Sequence, residues 1–186
     1  MSRLCFVFLL SFTSTISLPQ KESPVLYSVN RGTVVFHSNA QMELIRASSD
    51  KLRGLLDVQK KTFAFRIAVS SFQGFNSPLQ QVHFNENYME SEKYPDISFG
   101  GKIIEDYNLS QPGTYTIRAK GILNVHGIEQ ERIIKSEIIV RSGSINVQSK
   151  FTVLLADHDI KIPKVVEEKL ASEIMVEVKA DFVPRN

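Results

Sequence analysis

The sequence has almost no cysteine, and its one thiol lies close to the N-terminus. Cys5 is the only cysteine among the 186 residues. Cys5 lies in an N-terminal apolar run that is expected to be removed on export, so disulfides, cysteine-ligated metals and cysteine nucleophiles are not expected in the mature protein. Lipid attachment at an export signal needs its cysteine at the end of the apolar run, and Cys5 stands at the beginning of one. The fold must therefore be held together by its core.

The sequence also lacks an excess of either charge. Its 22 basic and 20 acidic residues give a formal net charge of +2. Neither lysine nor arginine forms the clustered runs that mark a nucleic-acid-binding surface, so no nucleic-acid partner is expected. With 42% hydrophobic and 23% charged residues, the composition is that of one globular domain large enough to bury a core without disulfides.

Motifs for catalysis and metal binding are missing as well. The chain contains no G-x-S-x-G, no glycine-rich phosphate loop and no carboxylate pair with glycosidase-like spacing. The four histidines are scattered without metal-ligand spacing: His37, His83, His126 and His158. Asp157-His158-Asp159 is interpreted as a solvated turn after a long strand. The sequence therefore predicts a protein that is not an enzyme and has no cofactor and no metal site.

The one long apolar run lies at the N-terminus. Arg3 precedes the run Leu4 to Leu10, and small residues follow near Ser17. This order is typical of a secretory signal peptide. Serines and threonines interrupt the run well before the roughly 20 residues that a membrane-spanning helix needs. We expect a signal peptide over residues 1–17, a domain over residues 25–183, a mature form without a membrane span, and a periplasmic or secreted location.

Most of the remaining chain alternates between apolar and polar residues. From Thr62 the apolar residues recur at every second position, as they do in a strand with one buried face. Arg31-Gly32 is interpreted as a turn between two strands, and the turn sequences His126-Gly127 and Ser142-Gly143 bound a strand predicted at residues 128–141. The count is about eight to ten antiparallel strands, which fits a barrel or a sandwich. Long strands, and glycines within strands at Gly100, Gly101 and Gly121, favour a closed barrel.

Two short helical segments interrupt the strands. Pro78 stands where a first helical turn accepts proline, and Leu79, Val82 and Glu86 follow at helical spacing. The spacing predicts a helix from about residue 78 to 91, which ends before Pro95. A further helical turn is expected near residues 164–171. The predicted class is mainly β, with an antiparallel barrel and one short helix.

Three blocks of sequence resemble a known family. They are FNENYMESEKYPDISFGGKI at 84–103, AKGILNVHGIEQE at 119–131, and the terminal SKFTVLLADHDIKIPKVVEEKLASEIMVEVKADF at 149–182. Together with YSVNRGTVVFHSNAQMEL at 27–44, they are similar to motifs of the YceI-like family. The resemblance implies a lipocalin-like, extended antiparallel β-barrel outside the cytoplasm, which holds an isoprenoid or similar lipid. This chain has His37-Ser38 without the His-Gly that follows in many members.

A lipid-binding barrel implies that one face of the strands lines its interior. The candidate lining residues are Phe63, Phe65, Ile67, Val69, Phe99, Ile103, Tyr115, Ile117, Ile138, Val140, Phe151, Val153, Ile174, Val176 and Val178. Phe84, Tyr88 and Met89 are candidates for a lid at the entrance. The expected partner is an apolar small molecule or lipid. The same pattern also describes a filled core in an interaction or stress-related module, and homodimerisation is left open.

Overall fold

Nine antiparallel strands form one sheet that closes on itself. The computed structural model describes residues 26–185, so the predicted signal peptide lies outside the described residues. The strands are β1 (Leu26–Asn39), β2 (Leu44–Ser49), β3 (Arg53–Asp57), β4 (Thr62–Ala68), β5 (Asp96–Ile103), β6 (Gly113–Val125), β7 (Ile128–Arg141), β8 (Ser144–Leu154) and β9 (Glu173–Pro184). Each strand from β3 to β8 pairs with the next along the chain.

Strand β1 closes the barrel because it pairs along both of its edges. One edge pairs with β9, from Tyr27 to His37. The other edge pairs first with β3 and then with β2, which follow one another beside β1. Because β2 and β3 share one position, the nine strands make an eight-position barrel. This closure confirms the barrel and excludes the sandwich that periodicity alone allowed.

The turn expected at Arg31-Gly32 is a bulge within one strand. The pairing of β1 with β9 shifts its register between Val29 and Arg31 and then continues. A Cβ added at Gly32 would lie 2.9 Å from the Cβ of Leu52. Glycine is therefore needed here because another side chain packs against the backbone, and not because the chain reverses.

Two helical segments connect the strands at one end of the barrel. Helix α1 (Pro78–His83) begins after Ser77, whose hydroxyl accepts a hydrogen bond from the Gln80 N–H at 3.2 Å. The chain continues as a π-helical turn, Phe84–Tyr88, so the predicted helix is confirmed with a slightly earlier end. A 3₁₀ turn at Lys164–Val166 confirms the second expected helical segment. Further 3₁₀ turns lie at Val69–Ser71 and Leu155–His158.

The two ends of the barrel are built differently. The closed end carries the start of β1, the β3–β4 turn, the β5–β6 loop and the β7–β8 turn. Leu109 of the β5–β6 loop, with 1% of its surface exposed, is buried in the same core cluster as Ile145 and Phe182. The open end carries the β1–β2 turn, helix α1, the β6–β7 turn and the β8–β9 connection. The filled part of the core therefore sits at the closed end.

Candidate ligand-binding cavity

A cavity of about 410 Å³ lies inside the barrel and reaches its open end. Its wall is formed almost entirely by aliphatic and aromatic side chains from the inward faces of the strands. The volume lies within the range of about 300–1,000 Å³ that is usual for ligand pockets. The barrel is thus neither completely filled nor hollow throughout.

Cross-strand pairs of β7 and β8 locate the floor of the cavity. Ile138 pairs with Val147, and both line the cavity. The next pair toward the closed end is Val140 with Ile145, and neither lines it. Both are buried, at 5% and 0% exposure. On this side of the barrel the cavity therefore ends between these two layers of side chains, whereas on other strands its lining continues to Leu56, Phe63 and Ile103 near the closed end.

At the open end the lining reaches exposed polar side chains. His83 and Lys169 are exposed, and Glu43 and Gln80 beside them are half-buried. The Glu43 carboxylate accepts hydrogen bonds from the side-chain amides of Gln80 and Asn76, the latter at 3.2 Å. These contacts join the β1–β2 turn to helix α1. Since the exposed side chains border the same space as the apolar wall, the cavity opens to solvent here.

Four phenylalanines pack together on one side of this mouth. Phe84 stacks on Phe36, with ring centroids 5.4 Å apart and an interplanar angle of 21°. Its ring also lies 5.1 Å from that of Phe75 and 5.9 Å from that of Phe72. Contacts of this kind stabilise aromatic pairs beyond their buried area. The helical segment is therefore held over the barrel by its aromatic side chains.

Most of the predicted wall residues face this cavity. Twelve of them line it: Phe63, Phe65, Ile67, Phe99, Ile103, Ile117, Ile138, Phe151, Val153, Ile174, Val176 and Val178. The three predicted lid residues, Phe84, Tyr88 and Met89, also line it. They belong to the π-helical turn that follows α1 and to its C-cap, at the open end of the barrel. Their role in binding stays a prediction.

Three predicted wall residues lie elsewhere. The strand ends before Val69, where a 3₁₀ turn begins and the Val69 N–H donates to the Pro95 carbonyl at 2.9 Å. Tyr115 lies toward the closed end, and its hydroxyl donates to the Gln111 carbonyl at 3.0 Å. Val140 belongs to the filled layer below the floor. Alternation identified the inward face but not where along the strand the cavity stops.

Other lining residues were missed by the sequence analysis. Phe36 lies on the inward face of β1, where Val34, Phe36 and Ser38 alternate with outward residues. That alternation could have identified it. Phe72 and Phe75 come from the connection before α1, where the sequence has no periodicity to read. Missed residues on the remaining strands include Leu123, Val125, Ile134 and Val147.

Polar side chains inside the wall are few. Ser38 accepts a hydrogen bond from the Ala171 N–H at 2.9 Å, which holds the β8–β9 connection against β1. Ser136 and Ser149 face each other across β7 and β8, and their hydroxyl oxygens are 2.6 Å apart. All three serines border the cavity.

Two of the recognisable sequence blocks meet at the open end. His126 Nε2 lies 2.7 Å from the Glu90 carboxylate, and the Tyr94 ring packs edge-on against the imidazole. His126 and Gly127 both have positive φ, of 53° and 72°, which the tight β6–β7 turn requires. The His126 side chain therefore ties this turn to the segment after the helix. These contacts stabilise the β6–β7 turn against the segment that follows the helix.

His158 is buried, contrary to the expected solvated turn. It is 0% exposed, and its Nδ1 lies 3.1 Å from the Ile128 carbonyl oxygen. Burial lowers the pKa of this imidazole. Asp157 and Asp159 on either side are exposed. The residue fastens the β8–β9 connection to the β6–β7 turn.

Residues 26–185 contain neither a cluster of metal ligands nor a membrane-spanning helix. No group of three or more His, Cys, Asp or Glu side chains is arranged to hold a metal ion in this part of the chain. The described helices are all too short or too polar to cross a bilayer.

Comparison with known proteins gives one family and several similar structures. The family model of the YceI-like domain matches residues 27–182. A polyisoprenoid binding domain from Saccharophagus degradans, implicated in plant cell wall breakdown, has a TM-score of 0.73 at 14% identity, over 86% of this chain and 98% of that one.

Two further structures have the same fold. BcnA of Burkholderia cenocepacia has a TM-score of 0.67 at 12% identity, over 81% of this chain and 95% of that one. A YceI protein of Campylobacter jejuni has a TM-score of 0.58 at 13% identity, over 95% and 94%. No curated protein sequence matches the chain. The match over nearly every described residue, together with the closed barrel, means that this chain belongs to the YceI-like family.

Proposed function

We propose that this protein binds an apolar lipid, of isoprenoid or quinone-like type, inside its barrel. The observation that carries this proposal is the apolar cavity of about 410 Å³ that opens at one end of the barrel. A space lined by phenylalanine and aliphatic side chains is unfavourable for water and favourable for hydrocarbon. The described residues bring no catalytic arrangement to it, so we propose binding and not catalysis.

The apolar wall is sufficient to provide affinity. Each buried methylene contributes about 0.8 kcal/mol, so ten buried carbons contribute roughly 8 kcal/mol. The loss of translational and conformational freedom on binding offsets part of this gain. The polar residues that such a pocket needs for orientation can therefore be few.

Two further observations support the proposal. The Saccharophagus degradans structure of the same fold is described as a polyisoprenoid binding domain. The N-terminal sequence has the order of an export signal. We infer a protein that carries or sequesters its ligand in the periplasm or outside the cell.

The rival function was an interaction module with a filled barrel. The cavity weighs against it, because a filled barrel would continue the buried layer of Val140 and Ile145 up to the mouth. We therefore favour a ligand inside the barrel over a partner on its surface.

Filling the cavity provides the test. Val176 is half-buried and lines the cavity, so the Val176→Phe ring can enter space that a ligand would use. Displacing two methylenes costs about 1.6 kcal/mol, or more than tenfold in Kd. Binding is measured by displacement of a fluorescent long-chain probe and by native mass spectrometry after mild purification.

The matched control is Ile133→Phe. Ile133 is 56% exposed and lies on the outer face of β7, so this change leaves the cavity intact. We expect an unchanged Kd for the control and similar melting temperatures for both variants. Equal affinities in the two variants, or a wild-type protein that binds no long-chain compound, would refute the proposal.

A further inference from the structure

The cavity contains one pair of polar side chains far from its mouth. Ser136 of β7 and Ser149 of β8 are cross-strand partners, and their hydroxyl oxygens lie 2.6 Å apart. Both line the cavity, and Ser136 is 6% exposed. The pair therefore places two hydroxyl groups among the apolar neighbours Ile134, Ile138, Val147 and Phe151 on the same two strands.

Its depth follows from the strand register. The next inward pair toward the closed end is Ile138 with Val147, which forms the last layer above the floor. In the other direction Val153, four residues along β8, still lines the cavity. At about 3.4 Å per residue, this distance is roughly 14 Å along the strand. The serine pair therefore lies near the floor.

The two hydroxyls satisfy each other only in part. A serine hydroxyl can donate once and accept twice. Whichever of the two donates to its partner, the other keeps its O–H free, and within residues 26–185 neither hydroxyl oxygen has another hydrogen-bond partner. A hydroxyl proton without an acceptor in an apolar space is unfavourable. A ligand oxygen at this depth would provide the acceptor.

We propose that Ser136 and Ser149 form a subsite for an uncharged ligand oxygen, such as the hydroxyl of an alcohol or the carbonyl of a quinone. The inference rests on the proposed function and adds an orientation: the ligand enters with its oxygen-bearing end first. The hydrocarbon chain then fills the space toward the mouth, beside Phe151 and Val153.

A charged group does not fit at the same place. The charged side chains that border the cavity are Glu43, Arg66 and Lys169, and none of them belongs to the layers around the serines. Arg66 forms an ion pair with Asp96 near the open end. A phosphate or carboxylate at the floor would thus be desolvated without a counter-charge. The subsite therefore binds an uncharged ligand oxygen in preference to a phosphate or carboxylate.

Two pairs of variants test the subsite in the full domain. The probes are 1-hexadecanol and hexadecane, which differ by one hydroxyl, with palmitate as the charged homologue. The first variant is Ser136→Ala with Ser149→Ala. Because it removes both hydroxyls, no unpaired group is left behind, and folding is expected to be little affected. The control replaces Ser49 and Ser71 by alanine in the same way. Their hydroxyl oxygens are also 2.6 Å apart, but neither residue borders the cavity.

We expect the wild type and the control pair to bind hexadecanol two- to tenfold more tightly than hexadecane, the range of one net hydrogen bond. The cavity variant is expected to lose this preference while its Kd for hexadecane stays the same. Ser149→Thr, which keeps a hydroxyl, is expected to retain the preference. Palmitate is expected to bind less tightly than hexadecanol.

The outcomes separate the two proposals. If wild-type protein binds both neutral probes and the preference is absent, or persists in the alanine variant, the serine subsite is refuted and the lipid-binding function stands. If wild-type protein binds none of the three compounds, both proposals fail.

Discussion

The closed and open ends of this barrel are made from the same strands but are packed differently. At the closed end, Ile145 and its neighbour Phe182 on β9 are fully buried, and the Phe182 ring lies 5.7 Å from that of Phe65 on β4. At the open end, the corresponding layers are separated by the cavity. The same alternating pattern therefore forms a filled core at one end and a wall around a cavity at the other.

The connections account for this difference. The β5–β6 loop inserts Leu109 at the closed end and seals it. At the open end, the connections contact one another through backbone and polar groups, including the Met42 N–H to the Glu168 carbonyl at 2.8 Å. Exposed apolar side chains also gather here, among them Leu44, Leu79 and Val165. Stability should therefore depend mainly on the closed end, and ligand access on the open end.

The largest effect is expected from Ile145→Ala. Ile145 is 0% exposed and pairs with Phe182 and Val140 in the filled layer. Removing its side chain leaves a cavity that the strands cannot close, at a cost of about 2–5 kcal/mol. Urea unfolding of the wild type and the variant measures this loss. A loss below about 1 kcal/mol would mean that the closed end is not the main source of stability.

A smaller effect on stability is expected from Phe84→Ala at the mouth. Phe84 is half-buried and contacts three other phenylalanine rings. Its truncation should cost about 2 kcal/mol, less than a fully buried phenylalanine, since one side of the ring already borders the cavity. The variant should also release a bound long-chain probe faster. Unchanged release would contradict a gating position for this ring.

The sequence was most informative where structure is local. Strand β7 was predicted at residues 128–141 and is found there, because a turn dipeptide stands at each end and no glycine or proline lies between them. The bulge at Gly32 was interpreted as a turn, since its cause is pairing with β9, about 150 residues away. Sequence patterns report on neighbours along the chain, and this pairing lies beyond them.

The cavity was less predictable for a related reason. The strand faces identify inward residues, but the floor below Ile138 depends on what packs at the closed end, including Leu109 from an irregular loop. Phe72 and Phe75 reach the mouth from a connection without periodicity. The Ser136–Ser149 pair requires the register of two strands. None of these facts is contained in the alternation of a single strand.

An effect of intermediate size is expected for the pH dependence of stability, which involves His158 at the open end. Burial lowers the pKa of His158 in the folded protein, whereas in the unfolded chain it stays at about 6.5. Below pH 6.5 the unfolded state therefore binds more protons, and the free energy of unfolding falls by at most about 1.4 kcal/mol per pH unit from this group. The loss extends down to the lowered pKa of the folded state.

Urea unfolding at pH 7.5 and pH 5.5 measures this dependence. His158→Gln removes the titrating group but keeps an amide near the Ile128 carbonyl. The difference in stability between the two pH values should be smaller in the variant than in the wild type, whatever its absolute stability. An equal difference in both proteins would show that protonation of His158 does not contribute to the pH dependence of stability.

The smallest effect is expected at the most exposed apolar side chain of the open end. Val165 is 88% exposed in the 3₁₀ turn of the β8–β9 connection, so Val165→Ser removes almost no buried surface. The free energy of unfolding should change by less than about 0.5 kcal/mol. Ile145→Ser at the closed end is the matched comparison, and it should be strongly destabilising, because the hydroxyl would be buried without a partner. A loss above about 1 kcal/mol for Val165→Ser would mean that the connections of the open end contribute to the core after all, and the contrast between the two ends would fail.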